Sequence, residues 1–385
     1  MTHGLLSQRH LNKLLPIYFA NLFFSFHYNI LVYVNSSFLE KFFSASFVSL
    51  LYILGSAGNI LLFLIAVKME GRFGNRKFFF MFLCLELIAV AGLATLSTEL
   101  AVALLFIVFQ STSIMLIYSL DIFLEDATYT SETGSVRGIY LTLGNLALVM
   151  SPLLIALFSP SGEFKSLYIL SGIFLVPLFI LASFSFKKFK DGEQRLSGLP
   201  FKTWWQSKNI RSVGFVRLTL DIFYSFMVIY MPIYLHQNIG FDWTEIGVIF
   251  TIMLLPFVLF EIPVGKLADK WGKEKEFITI GLFIVGITLL FMPFLKIAVV
   301  WVWALLLFIS RIGASITEVS VESYFFKQVN KNDVGLITIH RLSWPSAFVL
   351  GPTLGAISLS IFPFSAMFLL LSLVVLRGMS TSTRL

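Results

Sequence analysis

The chain has 385 residues, 57% of them apolar and 13% charged, with 43 phenylalanines and a mean hydropathy of +0.88. A water-soluble domain of this length has no core large enough for that much apolar surface, so the composition excludes a soluble globular protein and places the chain in a bilayer. The net charge of +7 would speak for a nucleic-acid partner only if the basic residues ignored the membrane, and they do not.

Apolar runs of about 20 residues, the length that crosses roughly 30 Å of hydrocarbon as a helix, follow one another along the chain. Twelve spans are predicted: 13–37, 46–67, 78–97, 100–124, 136–159 and 166–186, then 213–236, 245–265, 277–295, 298–325, 335–358 and 361–377. They are continuous, unlike the alternating segments of about ten residues in a membrane β-barrel. The first span follows Arg9 and Lys13 but is too long for a secretory signal, and no small-residue cleavage site follows it. The only cysteine, Cys84, lies inside the third span, so neither a disulfide framework nor a Cys/His metal cluster is expected. The polar stretch 187–212, with Trp204 and Trp205 at its interface, reads as a linker between an N-terminal bundle (1–186) and a C-terminal bundle (213–385).

Lysine and arginine set the orientation. With the N-terminus cytoplasmic, the opposite loops hold only Lys41, Lys165 and Lys296; Arg217 and Arg311 fall inside spans, and every other basic residue falls on the cytoplasmic side. Both termini are therefore expected in the cytoplasm, in a multi-pass protein of the cell (inner) membrane. The basic charge is orientation, and no nucleic-acid partner is implied.

The two predicted halves repeat. At an offset of roughly 200 residues, FFSF at 23–26 meets FYSF at 223–226, placing Asn21 opposite Asp221. KMEGRFGNRK at 68–77 meets KLADKWGKEK at 266–275, and DIFLEDA at 121–127 meets EVSVESY at 318–324, so Asp121 lies over Glu318 and Glu125 over Glu322. Three matches in one order at nearly one offset point to duplication.

The loop after span eight, with Gly265, Leu267, Ala268, Asp269, Lys270, Gly272 and Lys273, resembles the G-x-L-A-D-R-x-G-R-K signature of the major facilitator superfamily of secondary transporters. The loop after span two is degenerate, with Gly71 at the aspartate position, although Arg72, Gly74 and Arg76 remain. Span eleven carries the family's G-P-x-x-G element as Gly351, Pro352 and Gly355; span five keeps only Ser151 and Pro152, against a drug-efflux reading. The resemblance implies an all-α membrane protein of twelve transmembrane helices in two pseudo-symmetric six-helix bundles, a monomer by default, with spans one, four, seven and ten lining a central cavity.

A charge at the centre of a membrane helix costs about 2.5–3.5 kcal/mol and so asks for a partner, a wet cavity or a job. Arg311, Glu318 and Glu322 fall within about 40° on one face of span ten, and Asp121 and Glu125 form the matching stripe on span four. The resemblance implies a cytoplasmic gate of Arg72 with Glu125 or Asp126 and of Lys270 with Glu322, supported by Gly265, Asp269, Gly272 and Lys273. The deeper Asp121, Asp221, Arg311 and Glu318, joined by Asn21 and His27 on span one, are the candidates for substrate binding and proton coupling; Arg217 and Asp221 read equally as an intrahelical pair. Glu86 and Glu261 read as structural.

These residues lead to a secondary transporter of a small molecule working by alternating access, with protons as the coupling ion and no cofactor. A receptor or lipid scramblase on the same fold is the alternative. A membrane-embedded lipid enzyme finds little support, because the five histidines lack metal-site spacing and no G-x-S-x-G nucleophile elbow occurs. No G-x-x-x-x-G-K-[ST] loop is present, which argues against direct drive by ATP.

Overall fold

A computed structural model describes residues 8–128, 133–188, 200–271, 273–329 and 334–383. Eleven of its helices are long and apolar enough to cross a membrane, and a shorter apolar helix, Ala366–Ser382, stands where the twelfth span is predicted. Helices are what a lipid-embedded backbone requires, since each pairs its own N–H and C=O groups where water cannot. They are named here α1 (Gln8–Val32), α2 (Ala45–Phe73), α3 (Asn75–Thr95), α4 (Glu99–Ala127), α5 (Thr133–Phe158), α6 (Lys165–Ser185), α7 (Lys208–Ile229), α8 (Trp243–Leu259), α9 (Glu274–Phe291), α10 (Val300–Gln328), α11 (Ser343–Ile361) and α12 (Ala366–Ser382).

Local chemistry sets the boundaries. Ser44 caps α2, and Asp242 caps α8 in a reciprocal box with Glu245 (2.7 and 2.9 Å). Gly74 turns α2 into α3 at φ +80°, a conformation that an L side chain resists. Prolines explain three breaks. A proline ring clashes with the carbonyl four residues earlier, and Pro232, Pro263 and Pro345 stand just beyond interruptions at Tyr230, Phe260 and Leu342. Beyond these breaks run a π-helical turn, Tyr234–Ile239, the helix Glu261–Trp271, and α11 itself, which is preceded by the separate helix Val334–Arg341. The sequence reading joined the last two into one span; Pro345 is the reason they are two. Helices α5, α8 and α11 continue through Pro152, Pro256 and Pro352.

Packing follows a pattern that recurs six helices on. Helix α1 packs on α5 and α6, α3 on α4 and α6, and α2 on α4; α7 packs on α11 and α12, α9 on α10 and α12, and α8 on α10. The first six helices meet the last six chiefly through α5 against α8 and α2 against α11. Many side chains on the outer surface are large and apolar, Leu61, Ile88, Leu100, Leu157 and Trp301 among them, as a lipid-facing surface demands.

The two ends of the bundle differ. At the end opposite the α6–α7 linker, contacts run across from the first six helices to the last six. Gln237 Nε2 donates to Glu40 (2.9 Å), the Ser49 and Tyr230 hydroxyls are bonded (2.7 Å), and Phe164 meets Trp243 edge-on (4.6 Å between centroids). Below them Tyr33 packs on Phe250 (4.9 Å). This far end is shut, whereas toward the linker end a cavity opens between the two sets.

Candidate functional site

The cavity has a volume of about 230 Å³ and is walled by Tyr118 and Asp121 of α4, Arg217 of α7, Glu322 of α10, His340 and Arg341, and Ser343 and Trp344 of α11. Asp121 and Glu322 lie about 9 Å, and Arg217 about 14 Å, along the axis from their helices' linker ends, so these polar groups stand inside the bundle and not at its rim.

Arg217 is the hub. Its Nε reaches the Asp221 carboxylate four residues on (3.1 Å), and its Nη1 reaches Glu322 (3.1 Å) and Glu318 (3.3 Å) on α10. Each carboxylate has a second donor. Ser343 Oγ donates to Asp221 (2.6 Å), the Tyr224 hydroxyl to Glu318 (2.8 Å), and His340 Nε2 lies 3.2 Å from Glu322. Water access is graded across the network, the Glu322 side chain being 39% exposed, that of Glu318 27% and that of Asp221 0%. One guanidinium thus faces three carboxylates, so the cluster carries surplus negative charge unless it holds protons.

Among the described residues, two polar contacts stand out that join the first six helices to the last six at this end. Arg341 Nη1 binds Asp121 Oδ2 (3.2 Å), with both side chains partly exposed, and Asn145 Nδ2 of α5 donates to Glu261 Oε2 (3.0 Å). Glu261 therefore holds an inter-half contact; at the sequence level it reads as purely structural. Glu86 is structural, buried with His27 Nε2 (2.9 Å), Thr112 and Ser113 (2.6 Å) as partners.

The predicted deep residues separate. Asp221 and Glu318 join the Arg217 network, whereas Asp121 sits on the opposite wall with Arg341. Asn21 donates to the Tyr140 carbonyl of α5 (2.8 Å), and His27 bridges Glu86 and Ser171 of α6. Both span-one residues therefore pack among the first six helices, away from the cavity. Arg311 is buried, its guanidinium over the rings of Phe223 (4.8 Å) and Tyr224 (5.6 Å).

The predicted gate is also redistributed. Glu322 takes Arg217 and His340 as partners, and among the described residues neither Lys270 nor Arg72 is ion-paired; Arg72 lies over Phe73. Glu125 and Asp126 are exposed in the last turn of α4. Gly265 lets the helix Glu261–Trp271 approach α10, since a Cβ there would come 3.3 Å from Val319. Asp269 and Lys270 lie on that same helix, Lys273 precedes α9, and Gly272 lies outside the described residues.

Sequence reasoning missed three participants. Arg217 reads as an intrahelical partner of Asp221 until α7 is known to face α10. His340 and Arg341 reach the cavity only because the chain breaks at Leu342, and Pro345 was the available signal.

Among curated protein sequences there is no significant match. Solved structures match in fold. A mutant of the nucleoside transporter NupG superposes with a TM-score of 0.76 at 11% identity, covering 97% of this chain and 99% of that one. A POT family transporter in complex with 5-aminolevulinic acid gives 0.79 at 14%, covering 95% and 94%. A POT family transporter with a thioalcohol-conjugated peptide gives 0.78 at 14%, over the same shares. The family model of the Major Facilitator Superfamily matches residues 15–242 and again 213–379. A multi-pass bundle built on a repeated helix pattern, with charged side chains facing a cavity between its two sets of helices, agrees with that match: the chain belongs to the Major Facilitator Superfamily.

Proposed function

We propose that the protein is a secondary transporter that moves a small molecule by alternating access, driven by protons. The observation that carries the reading is the membrane-embedded cluster of Asp221, Glu318 and Glu322 around the single guanidinium of Arg217, beside a cavity walled by both sets of helices. Surplus carboxylates in a poorly solvated place bind and release protons when their access to water changes. Facing them are Arg217 and Tyr224 of α7, His340 and Arg341 from the α10–α11 connection, Ser343 of α11 and Glu261 beyond α8.

The recurring packing supports two six-helix bundles, 1–186 and 213–385, rocking about the α2–α11 and α5–α8 contacts, with 187–212 as their linker. The shut far end and the cavity toward the linker are what an inward-facing state requires if the linker and both termini are cytoplasmic. In the opposite state the linker end would close, with Asp121–Arg341 and Asn145–Glu261 as seeds for that closure. The signature-loop cations Arg72, Lys270 and Lys273 would then find carboxylates at the ends of α4 and α10.

The test is transport in proteoliposomes carrying an internal pH dye, screened with dyes, sugars, amino acids and organic anions. A substrate that moves protons with it in the wild type, and is no longer accumulated uphill by Glu318→Gln, supports the reading. Intact uphill transport in both Glu318→Gln and Asp121→Asn overturns it. Substrate passage that follows its own gradient alone, with no proton movement, favours the uncoupled receptor or scramblase alternative.

A further inference from the structure

Arg311 is the buried charge that the Arg217 network does not explain. It is 1% exposed, lies near the middle of α10, and its Nε and Nη1 have no hydrogen-bond partner. Among the described residues no carboxylate is paired with it. Three other buried charges are matched, Glu86 by His27, Asp221 by Arg217 and Glu274 by Lys327. Aromatic residues surround Arg311 instead: the rings of Phe223 and Tyr224 of α7 lie under the guanidinium, and the Tyr33 side chain, from the first six helices, is hydrogen-bonded to it, leaving Nε and Nη1 free. Ring faces offset part of the burial of a cation but accept no strong hydrogen bond, so the guanidinium keeps donors for which this conformation supplies no acceptor.

We propose that Arg311 is the binding residue for the carboxylate of the transported molecule, a small organic monoanion with an apolar body. One guanidinium balances one negative charge and offers a planar array of donors to a planar carboxylate. Phe223, Tyr224 and Tyr33 would enclose the rest of the molecule, and a single guanidinium would leave a phosphate dianion half-balanced. Tyr33 comes from the first bundle and Arg311 from the second, so a ligand held between them touches both rocking units.

Two aromatic partitions separate this place from the two ends. Tyr33 against Phe250 closes it toward the far end. Tyr224 closes it toward the cavity, its ring lying over Arg311 and 6.3 Å from Trp344 on the cavity wall, and its hydroxyl held by Glu318. Admission of the anion from the cavity requires the Tyr224 ring to turn, which breaks its bond to Glu318. This inference rests on the alternating-access reading but not on its proton coupling.

The experiment is equilibrium binding of radiolabelled benzoate, phenylacetate and octanoate to the purified full chain, with benzamide, benzylamine and inorganic phosphate as competitors, and no proton gradient. At least one carboxylate is expected to bind saturably, with the neutral amide, the amine and phosphate failing to displace it. Arg311→Gln is expected to weaken that binding at least tenfold and Arg311→Lys by less. Absence of carboxylate binding, equal displacement by benzamide, or wild-type affinity in Arg311→Gln overturns the assignment. The competition series on the wild type decides the matter even if the variants fail to fold. Proton flux on addition of the bound carboxylate to wild-type proteoliposomes separates the two proposals: binding without flux defeats the coupling alone, and flux with a substrate that ignores Arg311 defeats this assignment alone.

Discussion

Replacing Arg217 by glutamine tests the network at its centre. The guanidinium makes three charge-assisted contacts, at 3.1, 3.1 and 3.3 Å, to Asp221, Glu322 and Glu318. At about 1.5–3 kcal/mol each, their loss would sum to roughly 5–9 kcal/mol if the carboxylates stayed ionised. They need not, because an aspartate with an ordinary pKa near 3.9 takes up a proton at pH 7 for about 4.2 kcal/mol, and each unit of acidification removes about 1.4 kcal/mol of that. Glu322 keeps His340 and Glu318 keeps Tyr224, whereas Asp221 is 0% exposed and keeps only Ser343, so at least one protonation, at Asp221, is expected. Arg217→Gln should then cost on the order of 4 kcal/mol at pH 7 and about 1.5 kcal/mol at pH 5. Thermal unfolding of the purified protein in detergent across that range reads the difference as a gap from wild type that narrows with acid. The added substitution Asp221→Asn should restore most of the stability at pH 7. A gap independent of pH, or no recovery in the double variant, would refute the charge argument and make Arg217 a packing residue.

At the far end, Glu40 lies outside the predicted spans, and burial pushes its carboxyl up to about 7 against the smaller lowering effect of its bond from Gln237. A raised acid favours the state that buries it below that pH and loses that contribution as pH rises through about 7. Far-end accessibility, read by labelling a cysteine placed at the buried Ser36 in a Cys84→Ser background and normalised at each pH to the labelling rate of the unfolded protein, should rise between pH 6 and 8, and Glu40→Gln should flatten the rise. Gly355 faces the Tyr230 ring so closely that a methyl group cannot fit unless the ring moves, and Tyr230 carries the hydroxyl bonded to Ser49. Gly355→Ala is therefore expected to open the far end, seen as faster labelling at the same cysteine, whereas Ser49→Ala should do so more weakly. Arg341 and Asp121 are 41% and 26% exposed, so Arg341→Ala should change stability by less than about 1 kcal/mol and, on the alternating-access proposal, shift the balance toward the linker-open state. Unfolding and labelling measured on the one variant check both halves of that expectation.

How much of this was legible in the sequence depends on whether the signal is local. Hydropathy marks the spans because each helix must satisfy its backbone alone, so their positions do not wait on tertiary contacts. The stripe Glu318–Glu322 is equally local, a matter of four residues on one helix, and both side chains do face Arg217. What a single helix cannot show is the neighbour. Arg311 shares the face of Glu318 in projection, yet one heptad nearer the far end it meets Phe223 and Tyr224 rather than Arg217, because α7 presents aromatic rings at that depth and its cation two turns away. Asn21 opposite Asp221 in the repeat likewise keeps the position and loses the chemistry, since Asn21 serves the α5 backbone while Asp221 holds a guanidinium. The first six helices and the last six thus share a packing pattern but differ in their polar contacts, with the Arg217 carboxylate network among the last six and a hydrogen-bonded Glu86–His27 pair among the first. That asymmetry implies that charge substitutions in α7 and α10 should change transport, whereas substitutions of Glu86 or His27 should change stability first.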